Sequence, residues 1–582
     1  MNRLHRLLRI ALIVAASACS HPGSTGPGNV NDGGVGEPAP VDVAPPRPIA
    51  PVSVSFVTST RPTLRWQLPV GVDGAVVEVC ADRACTTSLA TFDAPGSSGV
   101  PPMDLPHGVV FWRLRGTQAG ATGSATSATW ELVVPAQSAP VDVAWGAMLD
   151  ANGDGYGDVV VGDSDTFTPT QRVFVYDGGP GGPAATPSTV LSAASPILHY
   201  AASIASAGDV NGDGFADLLV GSPTEDRVYL YLGSPTGLTT PPASALDGPA
   251  QSSFGAAVSG AGDVDGDGYA DVVVGMPLRP APSGSQVQGA AMLYYGGPGG
   301  ISSRSVELAS RAGSDAQGLG SYVSTAGDVD GDGLADVVVW GGIESTDPQY
   351  VLEYLGKDAA TFATAPSLLL QYDGANPSWL GNGNLLACVG DTTGGGYTDV
   401  AVTTPTPPGI SFAADHVSVF SGGSAGSALV PSRRMENPLA ATDHFGLSLA
   451  GLDAAQDGQD AVAVTTAAFE HPAPSVLVYP GGSVQPGVTL TTDDTTTLFE
   501  REVGSAGDVD GDGYPDLFVG FPSHTTLLGD GGGPGEDGGV DALHGAVEIH
   551  RGGPSGVSTT AAWTLLPPDG AVVAFGASLA RP

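Results

Sequence analysis

Residues 262–275 read GDVDGDGYADVVVG. Asp263, Asp265, Asp267 and Asp271 fall within nine residues, and a run of valines follows at once. Carboxylates this close repel one another unless a cation or a set of donors lies between them. The stretch also recurs: Asp209 opens DVNGDGFAD, Asp328 opens DVDGDGLAD, Asp508 opens DVDGDGYPD, and Asp150 opens DANGDGYGD. A chain that returns to one pattern is built from repeats, so its period has to be settled first.

Two worn copies, DTTGGGYTD at Asp391 and DAAQDGQD at Asp453, fill the gap between Asp328 and Asp508. They make seven units spaced 54 to 65 residues apart. A second signature tests the count independently. A short strand with an aromatic or His and then a glycine turn ends at Gly179, Ser234, Gly297, Lys357, Gly423, Gly482 and Gly553, once after each loop. Each unit therefore reads as four strands: one approaching the loop (FGAAVSGAG), one leaving it (ADVVVG), the signature strand, and one before the next unit (SVELAS). A single four-stranded sheet cannot cover both faces, so neighbours must stack and the ring must close. The expected fold is all-β, a seven-bladed β-propeller over 141–582 preceded by a small β-sandwich. The closing FGASLA at 575–580 echoes the first strand of a unit and is expected to fasten the ring; an eighth, truncated unit is the alternative.

Phe254–Gly255, the Asp-rich loop and VGMP at 274–277 together resemble the FG-GAP repeat, as do VGSP at 220–223 and VGFP at 519–522. The pattern is similar to the propeller of integrin α-subunits and its bacterial relatives. The fifth and sixth units depart from it, having lost most of their loop aspartates, and several units lack the Phe-Gly pair.

The loop suits Ca²⁺, which takes six to eight hard oxygen ligands. Carboxylates at positions 1, 3, 5 and 9 turn inward if the chain coils tightly, which the glycines at positions 4 and 6 permit. The resemblance adds the backbone carbonyl of position 7. The candidate ligands are thus Asp150, Asn152, Asp154, Tyr156 and Asp158; Asp209, Asn211, Asp213, Phe215 and Asp217; Asp263, Asp265, Asp267, Tyr269 and Asp271. Asp328, Asp330, Asp332, Leu334 and Asp336, then Asp508, Asp510, Asp512, Tyr514 and Asp516, complete about five calcium sites. With no His or Cys in these loops, zinc and copper are disfavoured, and Mg²⁺ is poorly served by an all-protein cage. It is not an EF-hand, since position 12 is Val274 and a strand follows. The rival reading is a set of Asp-Gly turns without metal. Bound ions would act mainly as structural clamps.

A formal net charge of −40 argues against nucleic acid and against unaided adsorption to anionic lipid. Arg3, Arg6 and Arg9, the apolar IALIVAA and then SAC resemble a secretory signal ending at Cys19. The layout is similar to a bacterial lipoprotein processing site, with Cys19 as the lipidated residue; Ala16 departs from that pattern, and a plain cleaved signal is the alternative. Residues 20–47 read as a flexible tether, which would hold an exported domain off an outer membrane or cell surface. Residues 48–135 alternate apolar and polar over several strands, and their pattern resembles a fibronectin type III module. Cys80 and Cys85 flank ADRA and are placed to bridge a turn, the alternative being two free thiols. Cys388 is expected to be a small buried strand residue.

No catalytic constellation stands out. GGSAG at 422–426 matches a hydrolase string, but Ser424 sits in the turn that other units fill with GGPGG. Two readings of function remain. The first is a non-catalytic adhesion or recognition scaffold for a protein or glycan, expected to be a monomer. The second is a calcium-dependent carbohydrate-active enzyme such as a polysaccharide lyase; a lyase needs a basic residue near the loops, where lysine and arginine look scarce.

Overall fold

In the computed structural model, residues 43–580 are described except 52, 54, 140–148, 164–170, 194–195, 281–287, 309–317, 342–348, 358–365, 367, 373–384, 405–415, 429, 439–443, 453–458, 468–474, 492–501, 525–543 and 569–574. The leader with Cys19, most of the tether and the worn loop at 453–458 lie outside them. Every element among the described residues is a β-strand. The span Asp42–Pro582 forms one compact unit.

Among the described residues, seven four-stranded antiparallel sheets follow one another along the chain. The third shows the pattern: Val258–Gly262, Asp271–Met276, Ala290–Tyr294 and Ser305–Leu308, paired in sequence order. Its second strand, VVVG with its flanks, is buried at every position, while the fourth runs exposed, half-buried, exposed and buried. Continuous valines can serve as a strand here because both faces of that strand are covered by neighbouring sheets. The apolar clusters cross the gaps between sheets. Val273 and Leu293 of the third pack with Val337, Val339 and Tyr354 of the fourth, and Val159, Phe174 and Tyr176 of the first pack with Phe518, Val547 and Ile549 of the seventh.

The first sheet takes its innermost strand from the far end of the chain. Ser578–Leu579 pairs with Val159–Gly162, Leu579 lying opposite Val161. Phe575, fully buried, sets its ring 5.5 Å from Phe174, and Ser578 Oγ donates to Ala201 O at 2.7 Å. Burying one such phenylalanine is worth about 2 kcal/mol. The all-β repeat architecture is a β-propeller.

The N-terminal region holds a three-stranded sheet (Arg47–Ala50, Leu64–Gln67, Ser98–Gly99) and a six-stranded one built on Gly74–Cys80, Gly108–Gln118 and Trp130–Val134. Trp66 from the first and Val77, Trp112 and Leu132 from the second share one core. Val43 is buried, and its carbonyl lies against Gly123. Cys80 and Cys85 are joined by a disulfide. Cys388 is half-buried, not buried, because it is the last residue of its strand, Leu386–Cys388, as the chain turns into a loop.

Candidate metal centre

In the second, third, fourth and seventh sheets the aspartate loop joins the first two strands, and a bulge marks its entrance; the first loop instead leads into Val159–Gly162, whose other neighbour is Ser578–Leu579. In the third sheet the register slips between Gly260 and Gly262, and Gly262 takes φ 67°. The chain then coils around the position-1 carboxylate. Asp263 Oδ1 accepts the N–H groups of Gly266 and Asp267 at 2.6 and 3.0 Å, and Oδ2 accepts that of Gly268 at 2.9 Å. The same three donors converge on Asp150, Asp209, Asp328 and Asp508.

Position 9 ties the loop to its own sheet. Asp271 Oδ2 accepts Val264 N–H at 3.0 Å and Oδ1 accepts Gly296 N–H at 2.9 Å, tying the loop to the glycine turn after the third strand. Asp158, Asp217, Asp336 and Asp516 make the matching pair of bonds. The position-5 carboxylates of Asp154, Asp213, Asp267, Asp332 and Asp512 accept the position-7 N–H of Tyr156, Phe215, Tyr269, Leu334 and Tyr514.

Position-7 side chains reach the neighbouring loop. Phe215 covers Gly153 and Tyr269 covers Gly212; a Cβ at either glycine would lie 2.6 or 2.7 Å from the ring. Backbone bonds run between loops too: Ala216 N–H to Asp150 O, Ala270 N–H to Asp209 O, Ala335 N–H to Asp263 O and Thr398 N–H to Asp328 O, all at 3.0–3.2 Å. Gly157 N–H to Asp508 O at 2.9 Å joins the last aspartate loop back to the first. The loops thus form a belt on one side of the sheets.

In three loops carboxylate oxygens from three residues lie within 4.8 Å of one another: Asp263, Asp265 and Asp271; Asp328, Asp330 and Asp332; Asp508, Asp510 and Asp512. Asn152 and Asn211 replace the third-position aspartate in the first two loops, whose hydrogen-bond pattern is otherwise the same. Burial pushes Asp328 and Asp516 up to about 8, Asp150 to about 7, and Asp209 and Asp508 to about 6. Asp217, Asp271 and Asp336 are driven well above their ordinary value, also chiefly by burial. Negative charge here is costly without a cation. Asp265 sharpens the point: its side chain is fully buried and its Oδ1 meets no hydrogen-bond donor. An all-oxygen donor set with a buried oxygen left over fits a hard divalent ion such as Ca²⁺.

The scarcity of basic residues near these loops, expected from the sequence, does not hold. Arg304 pairs with Asp265 and Arg551 with Asp510. Burial raises Asp330, and Lys357 works against that rise. A fourth cation comes from the N-terminal sheets. Arg83, inside the Cys80–Cys85 turn, reaches Asp263 Oδ2 at 3.0 Å, Glu131 at 2.9 Å and Gly333 O at 2.8 Å. Asp82 shapes that turn by accepting the N–H groups of Thr86 and Thr87. Ser53 Oγ also donates to Gly333 O at 3.0 Å, and the His107 ring lies 4.9 Å from Phe215. The N-terminal sheets therefore dock on the loop belt. Their junction encloses a small cavity lined by Phe56, Val133, Glu131, Asp209 and Asp263, among others. Sequence reasoning missed this docking; its one trace was an arginine in a cysteine-closed turn of a chain with only 20 basic residues.

Ser424 sits in a glycine turn, bridged to Gly426 as Pro298 is to Gly300 and Pro554 to Gly556. Nothing there activates a nucleophile among the described residues.

Residues 150–220 and 209–274 match the model of an FG-GAP-like repeat. Integrin alpha-7 of Rattus norvegicus is 39% identical over 137 residues, 22% of this chain and 12% of that one. Integrin alpha-3 of Cricetulus griseus is 37% identical over 142 residues, 22% and 13% of the two chains. Integrin alpha-5 of Xenopus laevis is 34% identical over 157 residues, 24% and 15%. This chain therefore spans only a small part of the relatives it matches. A solved structure titled "Structure of Dos1 propeller" aligns over 80% of this chain and 93% of that one, at 11% identity and a TM-score of 0.33, too low to carry weight. The repeats and the integrin relatives support an FG-GAP β-propeller family for this chain.

Proposed function

We propose that this protein is an exported, calcium-binding propeller that acts without catalysis as an adhesion or recognition scaffold for a protein or glycan. The seven four-stranded sheets are read as seven blades, and the N-terminal sheets as a fibronectin type III-like sandwich. The observation that carries the calcium reading is the third loop, where Asp263, Asp265 and Asp271 converge and Asp265 Oδ1 is left without a donor. Calcium there would neutralise crowded charge and hold the loop belt rigid. Similarity to integrin α-chains supports the adhesive role. The basic residues that a lyase would need are committed to loop carboxylates, since Arg83, Arg304 and Arg551 all sit in ion pairs. No helix among the described residues is long and apolar enough to cross a membrane, and attachment through a lipid on Cys19 is proposed. Mass spectrometry of the purified protein tests that anchor: a diacylglyceryl adduct on Cys19 is expected.

Titration calorimetry with CaCl₂ tests the central reading. Saturable heat is expected, together with a rise in melting temperature; silence in both would end it. A glycan and protein array probed with and without Ca²⁺ then identifies the ligand class.

A further inference from the structure

The five aspartate-rich loops come in two chemical kinds. The first and second carry Asn152 and Asn211 at the third position and three aspartates, at positions 1, 5 and 9. The third, fourth and seventh carry Asp265, Asp330 and Asp510 there, and so four aspartates. The added carboxylates at 265 and 510 are almost fully buried, with side-chain exposures of 0% and 2%. Each is met by an arginine that reaches it from outside the loop. Arg304 comes from the turn between the third and fourth strands of the third sheet, and Arg551 from just after the third strand of the seventh. Both guanidinium groups lie over an aromatic ring, Arg304 3.7 Å from the Tyr295 centroid and Arg551 4.7 Å from that of Trp563. Two loops, different sequence positions, one arrangement: a buried third-position aspartate, an arginine on its outer oxygen, an aromatic beneath the arginine. Lys357, beside Gly356, stands in the matching turn of the fourth sheet. Among the described residues neither Asn152 nor Asn211 has a basic side chain on it.

We propose that Arg304 and Arg551 are affinity-setting residues for the divalent cation, each cancelling the extra carboxylate of its loop and holding that carboxylate by one oxygen. Four carboxylates less one cation leave the third and seventh loops at −3, the value that the first and second reach with three aspartates alone. Arg83 does not disturb this balance, because Glu131 shares it. Calcium loops tune their affinity through ligand charge, so equal charge makes for similar sites. In the third loop Asp265 Oδ1 is also buried without a hydrogen-bond partner. The proposal rests on the calcium reading above and goes beyond it.

The experiment is calorimetry of the full-length protein with CaCl₂ at low salt, beside thermal melts in EDTA and in Ca²⁺. Arg304→Gln and Arg551→Gln are each expected to tighten one class of site about tenfold, the size of one unit charge acting on a divalent ion a few ångströms away in high dielectric. Each is also expected to melt lower in EDTA and to gain more from Ca²⁺ than the parent does. Asn211→Asp, which adds a carboxylate with no arginine, is expected to tighten the second loop to a similar extent and needs no buried side chain removed. Weaker or unchanged binding in all three variants, with a parent that binds normally, overturns the inference and leaves the calcium reading standing. A parent that takes up no calcium overturns both.

Discussion

The third and fifth loops share a backbone but not a chemistry. In DTTGGGYTD, Asp391 still gathers the N–H groups of Gly395 and Gly396, and Asp399 still ties Thr392 N–H and Gly422 N–H. Gly390, Gly394 and Gly396 keep the positive φ values of their counterparts. Only the carboxylates of positions 3 and 5 are gone, replaced by Thr393 and Gly395, and no three-carboxylate cluster forms there among the described residues. Positions 1 and 9 therefore hold the loop's backbone whether or not a carboxylate cluster forms, and position 3, joined by position 5 in the fourth and seventh loops, completes that cluster. A count of aspartates alone would merge these two roles.

The broadest way to break this distinction is to remove calcium. At hundredfold excess over Kd each site adds about 2.7 kcal/mol, so EDTA should cost several times that and lower the melting temperature steeply. The residual pH dependence has a definite sign. Burial holds Asp150, Asp328 and Asp516 at about 7 to 8 in the cation-free fold, far above an unfolded value near 3.9. The stability they contribute is thus complete below about pH 4 and lost as pH climbs through 7 to 8. In EDTA the protein should melt higher at pH 5 than at pH 8; the opposite order would refute the burial argument.

Asp271→Ala and Asp399→Ala come next. Each strands two backbone N–H groups, at about 1–3 kcal/mol apiece, so about 4 kcal/mol is expected in chemical denaturation. The loss should appear in both loops and with or without calcium. Arg83→Gln leaves Glu131 and Asp263 facing each other and should cost about 3 kcal/mol, with faster proteolysis of the N-terminal sheets. Arg47→Gln, at the fifth loop, loses a contact to Gly395 O and a stack 4.5 Å over Tyr397 and should cost about 1 kcal/mol. Smallest in EDTA is Asp332→Asn, at an exposed position: no change without calcium, and loss of one site's increment, about 2.7 kcal/mol, with it. A drop in EDTA would show that position 5 is scaffold after all.

The repeat and the coil of each loop were legible because their determinants lie within nine residues, and a local coil needs little from the rest of the fold. Glycines at positions 4 and 6 and alternating strands carry that information wherever the segment is placed. What stayed hidden was the second use of each residue. Asp271 as a tie to Gly296 and Tyr269 as a cover for Gly212 depend on sheet neighbours that periodicity implies but does not orient.

The sequence by itself determined the all-β repeat and where its acidic turns fall, since hydrophobic period and turn chemistry are written residue by residue. Tertiary structure alone decided which cations meet those turns: Arg304 lies 39 residues from Asp265, Arg551 lies 41 from Asp510, and Arg83 lies 180 from Asp263. It also decided that the N-terminal sheets close over the loop belt, whereas the strand that completes the first sheet was already announced by the FGASLA echo. Such pairings follow from distance in space and from the cost of burying charge unpaired, and neither leaves a period for a linear reading to find.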